Sequence, residues 1–189
     1  MTQQALPPDP ELIDRLGTAD QSVVELLVAE YWSPLCNYAA GIVEGVADPQ
    51  DVVQEAFIRL WKKRKQLRRE GSVRGLLYTV TRNAALDELR RDVRREGVAH
   101  LGRPASGSTP AEDAVATDLE HAAAAAVSRL PAKRQEIFRL AREEGLTYAE
   151  IASVLELSPQ TVANHMGLAL ADLRRDLAEY LTEETSSWG

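Results

Sequence analysis

Arg74, Tyr78 and Arg82 recur at i, i+4 and i+8, which in a helix sets an aromatic ring between two guanidinium groups on one face. Guanidinium groups hold phosphates in bidentate fashion, and a ring between them stacks on an unpaired base for about 1–3 kcal/mol. The chemistry this suits is noncovalent capture of a single nucleic-acid strand, with small Gly75 and Thr79 letting the strand come close. A plainer reading competes with it, in which Tyr78 packs on Leu86 or Leu89 and the arginines are solvated. The triplet lies in residues 59–95, which hold thirteen of the twenty-two Lys and Arg against four acids, although the whole chain carries a formal charge of −7. A polyanion is the natural partner of such a stretch, because each phosphate neutralised releases condensed counterions; a solvated basic helix surface is the alternative.

A second set of side chains reads a different surface. Gln160, Thr161, Asn164 and Leu168 fall on one side of an amphipathic segment, with His165 at its edge. Gln and Asn each bond adenine N6 and N7 in the major groove, and Leu168 suits a thymine methyl, so an A/T-containing duplex site is expected. No Lys or Arg lies between Pro159 and Asp172, so phosphate anchoring falls to Lys133, Arg134, Arg139 and Arg142 or to Arg174 and Arg175. A helical hairpin that binds nothing fits the same pattern.

Nothing in the chain marks catalysis. His100, His121 and His165 are scattered without ligand spacing, Cys36 is the single cysteine, and no Gly-rich phosphate loop occurs, so neither a cofactor nor a metal is expected. The N-terminus lacks the basic flank and apolar run of a secretion signal, and no window nears the roughly 20 apolar residues of a membrane span. A soluble cytoplasmic protein without membrane insertion is the expectation.

The elements that position these side chains are all helical. Apolar residues recur at three and four, and β-branched residues occur singly, which predicts helices over 10–16, 22–44, 49–66, 72–94, 118–129, 132–143, 148–155 and 159–181. Asp48-Pro49 and Ser158-Pro159 each supply an N-cap followed by a proline whose missing N–H is no loss at the first helical position. Thr147 and Glu150 have capping-box spacing. Residues 97–117, rich in Gly, Ala, Ser and Pro, read as a flexible linker, and 183–189 as a frayed tail. The fold class is all-α: two small helical domains, 1–96 and 118–182, the second containing a helix-turn-helix.

Helical faces follow from about 100° per residue. Over 49–66, Val52, Val53, Ala56, Phe57, Leu60 and Trp61 form the core side; Asp51, Gln54, Glu55, Ile58 and Lys62 lie opposite, either as a solvated face or as a docking surface. Over 72–94, Val73, Leu76, Leu77, Val80 and Ala84 form the buried stripe. Between these helices, residues 63–71 read as a basic loop that begins Lys63, Arg64 and Lys65. In the helix-turn-helix, Ile151, Ala152 and Leu155 face inward, Leu157 plugs the turn, and Val162, Ala163, Met166, Leu170 and Leu173 form the inner side of the second helix.

Four segments, DVVQEAFIRLW (51–61), GSVRGLLYTVTRNAALDELRR (71–91), LPAKRQEIF (130–138) and GLTYAEIASVLELSPQTVANHMGLAL (145–170), together resemble an extracytoplasmic-function (ECF) sigma factor of bacterial RNA polymerase. The resemblance implies a first domain that docks on the β′ clamp helices of core polymerase and captures the melted −10 element. It implies a second domain that binds the −35 element as duplex and touches the β flap. Carried over by position, Asp51, Gln54, Glu55, Ile58 and Lys62 would meet polymerase. Lys63, Arg64, Lys65, Arg74, Tyr78, Arg82, Asn83 and Asp87 would handle −10 DNA. Lys133, Arg134, Ser158, Gln160, Thr161, Asn164, His165 and Arg174 would handle −35 DNA. An anti-sigma factor is the further partner implied. The chain departs from the family at Val73, Leu76 and Thr79, where Phe, Trp and Arg are frequent. It departs again at Glu156, where glycine commonly makes the turn, and in a recognition helix poor in positive charge. The absence of a long preceding region and of a middle sigma domain fits the compact ECF type. A stand-alone helix-turn-helix regulator of duplex DNA is the alternative.

Overall fold

A computed structural model describes residues 6–68, 71–96 and 118–178, with no strand among them. The α-helices are α1 (Asp9–Gly17), α2 (Gln21–Val43), α3 (Pro49–Lys63), α4 (Val73–Glu96), α5 (Asp118–Ser128), α6 (Ala132–Arg142), α7 (Tyr148–Leu155) and α8 (Pro159–Asp176), with one 3-10 turn at Arg64–Gln66. The expected linker 97–117, the tail, and the last residues expected of the final helix lie outside the described residues. The chain divides into two compact units, one built on α1 to α4 and the other on α5 to α8.

Helix starts lie where their chemistry puts them. The Asp48 carboxylate accepts from the Gln50 N–H at 2.8 Å ahead of Pro49, and the Ser158 hydroxyl accepts from the Thr161 N–H at 3.0 Å ahead of Pro159. Thr147 and Glu150 complete a reciprocal capping box on α7. One cap was not legible from spacing: the Asp9 carboxylate of α1 accepts from the Val73 N–H at 3.1 Å, so the first helix secures the start of the fourth.

In the first unit α2, α3 and α4 pack against one another around Leu27, Leu35, Ala39, Val53, Ala56 and Leu77, and Trp32 stacks on Phe57 with centroids 6.3 Å apart. The buried arc of α4 differs from the expected stripe. Leu76 and Val80 are only half-buried, whereas Tyr78, Thr81 and Ala85 are buried with Val73, Leu77 and Ala84. The arc is turned by roughly 80° at about 100° per residue, because α4 must meet α2 as well as α3. Trp61, expected in the core, is half-buried with the Arg64 guanidinium 4.2 Å over its ring.

In the second unit Ala126, Leu130, Ala169 and Leu173 form a buried cluster, flanked by Val127, Phe138 and Leu177. Buried Gln135 donates to the Val127 carbonyl at 3.0 Å, which ties α6 to α5 and satisfies its amide N–H. Ala169 is fully buried and Leu170 only half-buried, so the inner side of α8 is centred one residue earlier there than the pattern implied. A small residue at this contact allows α8 to approach α5 and α6 closely.

Candidate nucleic-acid interface

The polar face of α3 is where the sequence puts it. Asp51, Gln54, Ile58 and Lys62 are exposed and Glu55 is half-buried, opposite buried Val52, Val53, Ala56, Phe57 and Leu60. Ile58 stands 40% exposed among polar neighbours. Glu55 is engaged: it accepts from Arg59 Nε at 2.8 Å, and Arg59 Nη1 donates to Asp87 Oδ2 on α4 at 2.7 Å. The hydrogen bond Arg59 donates to Glu55, and then the one it donates to Asp87, raise the Arg59 pKa above its ordinary value. The same Arg59 bond, with a lesser one from Arg90 Nη1 at 3.1 Å, lowers that of Asp87 below the usual carboxylate range.

The expected −10 surface needs correction at its centre. Tyr78 is 1% exposed, with its ring centroid 5.3 Å from that of Tyr38 on α2 and tilted by 57°. An edge-tilted pair of this kind belongs to a core contact, so the ring is no exposed stacking platform between Arg74 and Arg82. Burial also differs from the plainer reading in its partner, since the ring contact is made with Tyr38 of α2 and not on α4 itself. Arg74 and Arg82 are half-buried and Asn83 is exposed. Asp87 is turned into the α3–α4 tie. Lys63 ends α3 and Lys65 is exposed on the 3-10 turn; Arg64 is folded back, with Nη1 donating to the Trp61 carbonyl at 2.7 Å. Gly71 closes the return: its N–H donates to the Arg68 carbonyl at 3.0 Å, and a Cβ there would lie 3.1 Å from that oxygen.

On α8 the outward set is as expected. Gln160, Asn164 and Leu168 are exposed, Leu168 at 49%, while Thr161 and His165 are half-buried. Ser158 and Thr161 are also joined hydroxyl to hydroxyl at 2.8 Å, so both serve the start of the helix. Gln160 Nε2 donates to Asn164 Oδ1 at 3.0 Å, a bond that sequence spacing allows but does not dictate. Several anchoring cations are already paired: Lys133 with Glu136 at 3.3 Å, and Arg134 with Asp172 of α8 at 2.5 Å. Arg174 is exposed. Glu156 ends α7 in the left-handed region at φ 55°, a conformation that is strained for a residue bearing a Cβ.

Among the described residues no group of His, Cys, Asp and Glu could hold a metal ion, and no helix is long and apolar enough to cross a membrane.

Comparison with known proteins places both units. The family model described as Sigma-70 region 2 matches residues 27–95, and that described as Sigma-70, region 4 matches residues 120–173. A probable RNA polymerase sigma factor RfaY of Xanthomonas campestris pv. campestris is 34% identical over 155 residues, which is 75% of this chain but only 37% of that relative's length. The ECF RNA polymerase sigma factor SigL of Mycobacterium tuberculosis is 30% identical over 168 residues, 86% of this chain and 93% of the relative. The RNA polymerase sigma-H factor of Pseudomonas aeruginosa is 25% identical, with 93% and 96% covered. Two solved structures share the fold: CnrH in complex with the cytosolic domain of CnrY, with a TM-score of 0.62, 23% identity, and 90% of this chain and 97% of that one covered; and the sigma factor RpoE of Bartonella quintana in complex with the anti-sigma factor NepR, with a TM-score of 0.64, 18% identity, and 82% and 96% covered. With both sigma regions in order on two helical units, and a relative matched over almost its full length, the chain belongs to the ECF family of RNA polymerase sigma factors.

Proposed function

We propose that this chain binds core RNA polymerase through the exposed face of α3 and carries promoter specificity on α8, with no covalent chemistry of its own and with the cytoplasm as its place of action. The observation that carries the reading is the α3 face, where Asp51, Gln54, Ile58 and Lys62 point outward and an exposed isoleucine sits among polar side chains on a helix whose other side is core. Such a mixed face suits a helix on a partner better than it suits water. The β′ clamp helices are the docking site inferred from the family, with the β flap as a second contact for the C-terminal unit.

The exposed cations Lys63 and Lys65, with Arg74, Arg82 and Asn83, are proposed to hold the −10 strand by its phosphates, while Tyr78 braces α4 from within. The −35 duplex is assigned to Gln160, Asn164 and Leu168 on α8, with Ser158, Thr161, His165 and Arg174 around them. Lys133 and Arg134 would contact phosphate in competition with the carboxylates they already hold, and such contact is salt-sensitive. An anti-sigma factor is proposed as the restraining partner, a reading supported by the solved neighbour in which the sigma factor RpoE is in complex with the anti-sigma factor NepR.

Run-off transcription with purified chain, core polymerase and a promoter library tests the reading. Specific initiation that Ile58→Asp abolishes, with the fold intact by circular dichroism, is expected. Promoter-specific initiation unaffected by Ile58→Asp removes the α3 assignment, and absence of any core complex removes the whole reading.

A further inference from the structure

Gln160 and Asn164 are exposed on α8, one helical turn apart, and their side-chain amides are bonded to each other across 3.0 Å. Each amide carries one acceptor oxygen and one donating NH2 group. The bond between them engages the Asn164 oxygen and one Gln160 N–H, leaving the Asn164 NH2 and the Gln160 oxygen as a complementary pair, with the second Gln160 N–H beside them. Reversing both amides exchanges the two roles without changing what the pair presents, which is one donor beside one acceptor.

We propose that Gln160 and Asn164 read a single adenine jointly rather than two adenines separately. This rests on the assignment of α8 to the promoter duplex and concerns how that helix discriminates bases. Adenine offers the matching edge in the major groove, N7 as acceptor and the N6 amino group as donor. Asn164 donates to N7 while Gln160 accepts from N6. At guanine the O6 acceptor faces the Gln160 oxygen, so two acceptors oppose each other. Pyrimidines have no N7, and the Asn164 donor is left without its partner. Mutual bonding also holds both side chains in place before DNA arrives, which reduces the cost of ordering them on binding. An Asn164 that bonds adenine through both of its own groups has to share or break the bond its oxygen accepts from Gln160, whereas Gln160 acting alone would leave the Asn164 NH2 without a base partner.

The alternatives separate in a double-mutant cycle on the holoenzyme. The full chain carrying no substitution, Gln160→Ala, Asn164→Ala or both is reconstituted with core polymerase and used to select from a library randomised across the upstream duplex element. Both side chains are exposed, so neither substitution removes core packing. The expected result is one adenine position whose preference falls about tenfold in either single variant and no further in the double. Two adenine positions, one lost with each substitution, or losses that multiply in the double variant, overturn the joint reading while leaving α8 as the reading helix. Selected sites that are the same in all four proteins remove α8 from promoter recognition, and the pair with it.

Discussion

Arg59 on α3 donates to Asp87 on α4 at 2.7 Å and to Glu55 on its own helix at 2.8 Å, so one guanidinium joins two helices and two carboxylates. Arg59 is only 25% exposed, which screens the tie less than a fully solvated pair. It runs from the face assigned to polymerase to the helix assigned to the melted strand. It also removes Asp87 from the free DNA-facing set, since that carboxylate holds Arg59 and Arg90.

Asp87→Asn is expected to destabilise the fold by about 1 kcal/mol near neutral pH. The Asp87 pKa is lowered in the folded state, so its contribution is complete above the unfolded value of about 4 and is lost as pH falls through the lowered native value. Urea unfolding of both proteins should therefore show a deficit at pH 7 that shrinks toward pH 3. An equal deficit at both pH values would mean that Asp87 acts through shape and not through charge.

Tyr78 and Thr81 should respond in opposite directions. Tyr78→Ala empties a site that is 1% exposed and should cost about 3–5 kcal/mol, as aromatic truncations in cores do. Thr81 is fully buried with its hydroxyl unpartnered among the described residues, so Thr81→Val should stabilise by about 1 kcal/mol. Thermal melting of the two variants decides; a Tyr78→Ala protein as stable as the parent would restore the exposed ring.

Glu156→Gly is expected to raise stability by about 0.5–1 kcal/mol. A non-glycine residue in the left-handed region costs about 1–2 kcal/mol, and glycine returns part of that gain through its greater unfolded entropy. A lower melting temperature in the variant would indicate that the Glu156 side chain makes a compensating contact in solution.

Ser158 separates folding from binding. Ser158→Ala removes the cap of α8 and should cost about 1 kcal/mol, whereas Ser158→Asp caps equally well. The carboxylate would face the DNA phosphates, so the Asp variant should melt like the parent yet bind duplex promoter more weakly, with the difference shrinking at high salt. Parent-like duplex binding by Ser158→Asp would place the start of α8 away from the DNA backbone.

Much of this molecule is legible in its sequence. Helix positions, the caps at Asp48, Thr147 and Ser158, and the split of α3 into apolar and polar sides are short-range matters of periodicity and local hydrogen bonding. Motif order likewise pointed to the family. The face of α4 was not legible in this way, because Arg74-Tyr78-Arg82 spacing defines a stripe but not which stripe meets a neighbour. Packing against α2 brought Tyr38 onto Tyr78 and turned the supposed DNA platform inward. Charge partners were equally a tertiary matter: Arg59 with Asp87, Arg134 with Asp172 and Asp9 with the Val73 amide lie 28, 38 and 64 residues apart. Spacing within one helix specifies which side chains share a face. Only the docking of helices onto one another decides which face is solvent and which charge is already held.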